Sequence, residues 1–356
     1  MRKIATVAFG TLLAVTGGAF AEGISDGKAG TGAEAAHNAE AAARLKPAKS
    51  AGGIKADRAA SRDAVTDPAA AARAYTFVGR SADGKTVTVA PGEEVVKALT
   101  GEKAASSERA PLGKGAGIEP EGDDASRAVL GKDERIQVNN TTRYPFSAVG
   151  YLEMVDDKGG AFSCTASLIG PSTIITAAHC LYDHEHDGDP WRDKFTFWPA
   201  LAGEQSVPFA GVEYDTAYVA QGFIDNYGGN YDTVWPYDLG VITLKEPIGD
   251  TVGWLGYWHY ADLGDFTANI IGYPYDKTAF TMWRTACDVR SEDVGDYDLA
   301  FTCDISDGMQ GAPIYVYDEN AKARVLVGVS IGDLGDKNWG LRLYQALFEW
   351  VGSINK

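Results

Sequence analysis

Between residues 131 and 340 the chain is cut into short runs of apolar, β-branched and aromatic residues, each closed by Gly, Asp or Pro. Residues 146–152 (FSAVGYL), 167–169, 173–175, 239–244, 314–317 and 325–329 are such runs. Strand-type residues at this density, with almost no helical periodicity, restrict the fold to a β-barrel or a β-sandwich. The C-terminal stretch differs. Leu343, Leu347, Trp350 and Val351 recur at helical spacing and predict one terminal amphipathic helix over 343–354.

The 356 residues suffice for one large domain or two. Met1-Arg2-Lys3 is basic, residues 4–20 are apolar, and Ala19-Phe20-Ala21 offers a small-x-small cleavage site. This reads as a secretory leader over 1–21, too short for a stable span, and it predicts a secreted or periplasmic protein. No other stretch is long and apolar enough to cross a bilayer. Residues 22–127 turn to Ala, Gly, Ser, Lys and Glu, which predicts a mostly disordered pro-segment or linker, weakly helical at 33–45. Within it, alternation on both sides of Asp83-Gly84 predicts a hairpin over 75–89. The globular domain is expected over 128–356.

Four cysteines fit an oxidising compartment and allow three pairings. Their spacing favours Cys164–Cys180 and Cys287–Cys303, each closing a short loop and contributing about 3 kcal/mol on the chain-entropy account. A zinc site is the rival reading, but the chain has no Cys-x-x-Cys pair. The net charge of −17 argues against nucleic acid or anionic membrane as a partner.

Three segments carry candidate chemistry: Thr176-Ala177-Ala178-His179-Cys180, Tyr237-Asp238-Leu239-Gly240 and Gly308-Met309-Gln310-Gly311-Ala312-Pro313. In acyl transfer by a hydroxyl, a His must reach the nucleophile while a buried Asp holds its other ring nitrogen. Such groups come from distant segments, so chain order and local context identify them better than spacing. With this order and these blocks, residues 135–342 resemble the bacterial glutamyl endopeptidase (V8-like) branch of the chymotrypsin-like serine proteases. Residues 140–146 (NTTRYPF), 271–274 (IGYP), Cys303-Asp304 and 340–342 (GLR) belong to the same resemblance. It implies an all-β fold of two packed six-stranded antiparallel barrels with a C-terminal helix, preceded by a mostly disordered N-terminal segment. The site would lie in the cleft between the barrels. By the same resemblance His179 is the general base, Asp238 its orienting carboxylate, and the backbone N–H groups of Gly308 and Gln310 the oxyanion hole. Ile305, Ser330 and Asp333 would line the primary pocket. The resemblance implies a peptide or protein ligand and no cofactor.

The chain departs from that pattern where the chemistry is decided. Gln310 stands at the nucleophile position, and a carboxamide is not a nucleophile that an imidazole can activate. Its amide is expected to hydrogen-bond His179 and close the site. Ala312 stands where relatives often carry Ser, Ser330 where the glutamyl branch carries His, and Ile305 where it often carries Thr. The expectation is a pseudo-protease that keeps a binding cleft. The alternative is an active endopeptidase with a displaced nucleophile, for which Ser306 and Ser330 are the nearby hydroxyls. Residues 183–189 (DHEHDGD) read as a solvated acidic turn, with zinc held by His184, His186 and Asp187 as the weaker rival. Trp254, Tyr257, Trp258 and Tyr260 surround His259 in sequence and read as core packing.

Overall fold

A computed structural model describes residues 49–50, 54–55, 67–100 and 132–355. The leader read at 1–21, and much of the low-complexity stretch after it, lie outside the described residues. Two short strands come first, β1 (Lys49–Ser50) and β2 (Ile54–Lys55). Helix α1 (Pro68–Ala74) begins where Asp67 accepts hydrogen bonds from the Ala69 and Ala70 amides, with Pro68 in the first turn where its missing N–H costs nothing. A hairpin follows, β3 (Phe77–Ser81) and β4 (Thr86–Val89), turning at Gly84 with φ +80°. Helix α2 (Glu93–Thr100) ends this module.

Residues 67–100 are therefore folded, although they lie in the stretch read as mostly disordered. The composition there is poor in large apolar groups, but the few present are concentrated on one face. Tyr75, Phe77 and Val95 are all buried in the main core.

The first barrel comprises β6 (Val149–Val155), β7 (Ala161–Leu168), β8 (Thr173–Thr176), β9 (Asp193–Pro199), β10 (Val212–Ala220) and β11 (Gly240–Leu244). They pair in the order β11-β8-β7-β6-β9-β10, and β10 pairs back with β11 to close the cylinder. Strand β3 adds to β10 from outside and carries the hairpin onto the barrel. A short strand, β5 (Ile136–Gln137), precedes β6 in sequence but joins the other sheet.

The second sheet is built from β12 (Gly256–Tyr257), β13 (Phe266–Gly272), β14 (Trp283–Val289), β15 (Asp298–Phe301), β16 (Pro313–Asp318), β17 (Ala323–Asp333) and β18 (Asn338–Arg342). Its six main strands run β15-β18-β17-β16-β13-β14 and leave a seam between β14 and β15. The Cys287–Cys303 disulfide ties β14 to the residues just after β15 across that seam. The other disulfide, Cys164–Cys180, ties β7 to the turn that carries His179.

Helix α3 (Gln345–Ile354) buries Leu347, Trp350, Val351 and Ile354 at helical spacing, as the periodicity predicts. Trp350 stacks on Phe77 with centroids 3.8 Å apart and donates its indole N–H to the Tyr75 carbonyl at 3.0 Å. The hairpin module and the C-terminal helix thus pack together against the first barrel. The fold is chymotrypsin-like and all-β, one barrel closed and the other open. Among the described residues no helix is long and apolar enough to cross a membrane.

Candidate active site

His179 sits in a 3-10 turn (Ala178–Cys180) directly after β8, and Asp238 lies just before β11. Because β8 and β11 are ladder partners, the strand ends bring these two residues together. Asp238 Oδ1 accepts the His179 backbone N–H at 2.8 Å, and Oδ2 meets the ring Nδ1 at 2.7 Å. Asp238 is fully buried and His179 is 3% exposed. The carboxylate fixes the orientation of the ring through Nδ1.

The 308–313 loop joins the second barrel to this pair through a set of backbone ties. The Gln310 carbonyl accepts the Thr165 N–H at 2.9 Å on the β7 side, and the Ser330 carbonyl accepts the Gly311 N–H at 2.8 Å on the β17 side. Thr165 also donates its hydroxyl to the Gly308 carbonyl at 2.8 Å. Two glycines make the turn possible. Gly308 has φ +93°, and a Cβ there would lie 2.3 Å from the Tyr273 carbonyl oxygen; Gly311 has φ +77°, and a Cβ there would lie 2.0 Å from Thr176 Oγ1.

Gln310 does not reach His179. Its side-chain Oε1 accepts the Gly308 N–H at 2.8 Å and its Nε2 donates to Asp307 Oδ1 at 3.3 Å. His179 Nε2 is buried and makes no hydrogen bond among the described residues. The expectation of a Gln310–His179 bond is thereby corrected: the five-atom reach of the side chain lets it fold back onto an amide two residues upstream. The amide it takes, Gly308 N–H, is one of the two assigned to the oxyanion hole.

The other sequence-derived residues are dispersed. Ser330 stands beside the Gln310 loop, fully buried. Ile305 packs within the core of the second barrel, and Asp333 lies at the far end of β17 opposite Asn338. Ser306 donates its hydroxyl to Asp276 Oδ1 at 2.5 Å and accepts from Arg135 Nη1 at 3.0 Å, so it is engaged away from His179. In the 183–189 turn, His184 stacks on Tyr227 at 4.2 Å while His186 Nε2 meets Asp157 Oδ1 at 2.5 Å and Asp187 lies 3.8 Å from Lys158. The two imidazoles are spent on different partners, and no cluster of three or more ligating side chains occurs among the described residues.

Two features were not anticipated from sequence. Asp133, Arg135, Asp276 and Lys277 form a charge cluster beneath the loop, with Arg135 bridging both carboxylates. Burial pushes the Asp133 carboxyl up, but hydrogen bonds from Arg135 and Lys277 outweigh it and hold the group at about 2. Beside the cluster, Tyr151, Tyr273, Tyr275, Phe280 and Lys277 line a cleft of about 180 Å³. That is below the usual range for whole small-molecule ligands and suits a single side chain.

A model of the trypsin family matches residues 137–316, which include His179, Asp238 and Gln310. The chain belongs to the trypsin family. Its trypsin-family domain is 34% identical over 190 residues to a glutamyl endopeptidase of Bacillus licheniformis, a match covering 53% of this chain and 55% of that protein. It is 28% identical over 225 residues to an extracellular metalloprotease of Bacillus subtilis, covering 62% of this chain and 67% of that protein. The chain thus spans about half to two thirds of the length of these relatives. A solved Glu endopeptidase in complex with MPD superposes with a TM-score of 0.53 at 27% identity, over 64% of this chain and 98% of the other.

Proposed function

We propose that this is an exported trypsin-family protein whose cleft binds extended peptide without cleaving it. The observation that carries the reading is the Gln310 side chain on the Gly308 amide. Acyl transfer needs both a nucleophile and preorganised donors at the developing oxyanion. Gln310 removes the first and occupies one of the second. Loss of a catalytic serine alone costs about 10⁶ in kcat, and loss of one oxyanion donor about 10²–10³.

Binding needs neither. The His179–Asp238 pair, the glycine turn and the adjoining side-chain cleft all remain. Export is supported by the leader-like residues 1–21 and by two disulfides among the described residues. Residues 128–356 form the binding domain in this reading.

The test compares the parent with Gln310→Ser by fluorophosphonate labelling and casein turnover. A silent parent and a labelled variant are expected. Turnover in the parent that is lost on His179→Ala would overturn the reading.

A further inference from the structure

In a chain with 49 acidic and 32 basic residues, an arginine meets a carboxylate easily. Arg73, Arg80, Arg135, Arg192 and Arg290 each pair with an aspartate, and Arg342 donates to backbone carbonyls. Arg284 and Arg324 have neither kind of partner among the described residues, and both are half-buried. Arg143, exposed on a nearby turn, also lacks a carboxylate. The acids on the same strands and their turn are engaged elsewhere. Asp288 accepts the Thr267 hydroxyl at 2.9 Å, Asp318 accepts the Tyr260 hydroxyl at 2.7 Å, and Glu319 lies 3.6 Å from Lys322.

The two arginines share one face of the second sheet. Ala268, Ile270, Ile314, Val316 and Val325 turn inward and fill the core of that barrel. The alternating residues Asn269, Arg284, Tyr315, Tyr317 and Arg324 therefore face outward. In the ladders Arg284 stands opposite Ile271, Tyr315 opposite Asn269, and Arg324 opposite Tyr317. Tyr315 thus lies between two arginines that are three strands apart, about 14 Å across the sheet. The Arg324 guanidinium is 5.5 Å from the Tyr144 ring and 5.7 Å from the Tyr317 ring, and that of Arg284 is 6.0 Å from the Phe146 ring. All three distances are within cation–π reach. The turn that supplies Tyr144 and Phe146 is anchored, since Ser147 donates its hydroxyl to the Val252 carbonyl at 2.6 Å. Burial pushes the Tyr315 hydroxyl up to about 12, and the charges of Arg324 and Arg284 pull against it, so both act on this one group.

We propose that Arg284, Arg324 and Tyr315 form a docking surface for an acidic, extended segment of another protein. A guanidinium held against a ring keeps the N–H edge of its planar fork free to pair with a carboxylate in bidentate fashion. An extended segment rises about 3.3 Å per residue, so acidic side chains about four residues apart reach both arginines. The guanidiniums cover the aromatic faces on which a sugar would stack. A nucleic acid or an anionic bilayer would bring dense negative charge against a protein of net charge −17. Two carboxylates act locally instead, within a screening length of about 8 Å. The surface lies on the outside of the second barrel and does not rest on the peptide-binding reading of the His179–Asp238 cleft.

The experiment uses the full chain, a variant with Arg284→Gln and Arg324→Gln, and a control of equal charge with Arg73→Gln and Arg290→Gln. The probe is a rhodamine-labelled peptide, Ser-Glu-Thr-Ser-Thr-Glu-Ser, read by anisotropy beside its counterpart with Gln in place of both Glu. Parent and control are expected to bind the acidic peptide alike, and the Arg284→Gln, Arg324→Gln protein at least about 10-fold more weakly. A further variant, Arg284→Lys with Arg324→Lys, keeps the charge without the fork and should bind at least about 3-fold more weakly than the parent. It also keeps the test standing if the glutamine variant fails to fold, which thermal unfolding checks. Equal weakening in the control, or parent-like binding by the lysine variant, would leave only net charge and overturn the surface. Tighter binding of a heparin-derived oligosaccharide than of the peptide would overturn the protein occupant. So would a sedimentation mass that rises with concentration in the parent but not in the glutamine variant, which would assign the face to a second copy of this chain.

Discussion

On the first barrel, Asp238 holds His179 through hydrogen bonds of 2.8 and 2.7 Å, whereas on the second Gln310 turns back and takes the Gly308 N–H at 2.8 Å. The first half holds this pair because the β8–β11 ladder of the barrel brings the two residues together. The second half is held by its backbone. Its loop is tied to Thr165 and Ser330, and both glycines have positive φ, while the Gln310 side chain turns onto the loop itself. The two halves thus differ in what organises them: a side-chain pair in the first, glycines and neighbouring amides in the second.

The largest expected effect breaks that asymmetry directly. Gln310→Ser supplies a hydroxyl and frees the Gly308 amide together, so fluorophosphonate labelling should rise at least about 10³-fold over the parent. An unlabelled Gln310→Ser protein would mean that the second half has lost its geometry as well.

Next in size is Phe77→Ala, which probes what supports the first half. Phe77 is fully buried against Trp350, and Tyr344 of the same C-terminal region donates to the Pro236 carbonyl, two residues before Asp238. Truncating a buried Phe costs about 3–5 kcal/mol, so a fall in Tm on the order of 10 °C is expected by calorimetry. A shift of only a degree or two would mean that the 67–100 module rests on the barrel without supporting it.

Much of this was legible in the chain. The β-rich runs fixed the class, the periodicity of Leu343, Leu347, Trp350 and Val351 announced the final helix, and the spacing of the cysteines matched the bridges that form. The blocks around His179, Asp238 and Gly308 pointed to one site because residue order and local context carry that signal. What could not be read was set by long-range pairing. The Gln310 carboxamide could have turned towards His179 or towards Gly308, and only the three-dimensional course of the loop decides. Likewise Lys49-Ser50 and Ile54-Lys55 have unremarkable composition, and their partners lie more than a hundred residues away.

A smaller effect is expected from Gly311→Ala. The added Cβ combines a positive φ, worth about 1–2 kcal/mol, with overlap on Thr176 Oγ1 and the Thr165 carbonyl, worth about 1–3 kcal/mol more. Because those contacts lie on β8 and β7, the damage should spread to the first half. In a Gln310→Ser background, labelling should fall along with Tm. Retained labelling would show that the loop is softer than its ties suggest.

The smallest effect separates two places on the second sheet by pH. His259 packs against Trp258 and Phe348 at 5.2 and 5.0 Å, where burial, and then the charge of Arg342, push it down to about 4. An unfolded histidine titrates near 6.5, so between 6.5 and 4 the unfolded chain binds the extra proton. The contribution of a neutral His259 is therefore complete above about pH 6.5 and is lost as pH falls towards 4. Asp133, held at about 2, behaves differently: its contribution is complete above the ordinary carboxylate range and is lost only as pH falls through about 2. The charge cluster under the Gln310 loop should thus hold through the window in which the seat of α3 weakens. Tm measured from pH 7 to 4 should drop by a few degrees more in the parent than in His259→Gln. Parallel curves for the two proteins would put the acid-sensitive group elsewhere.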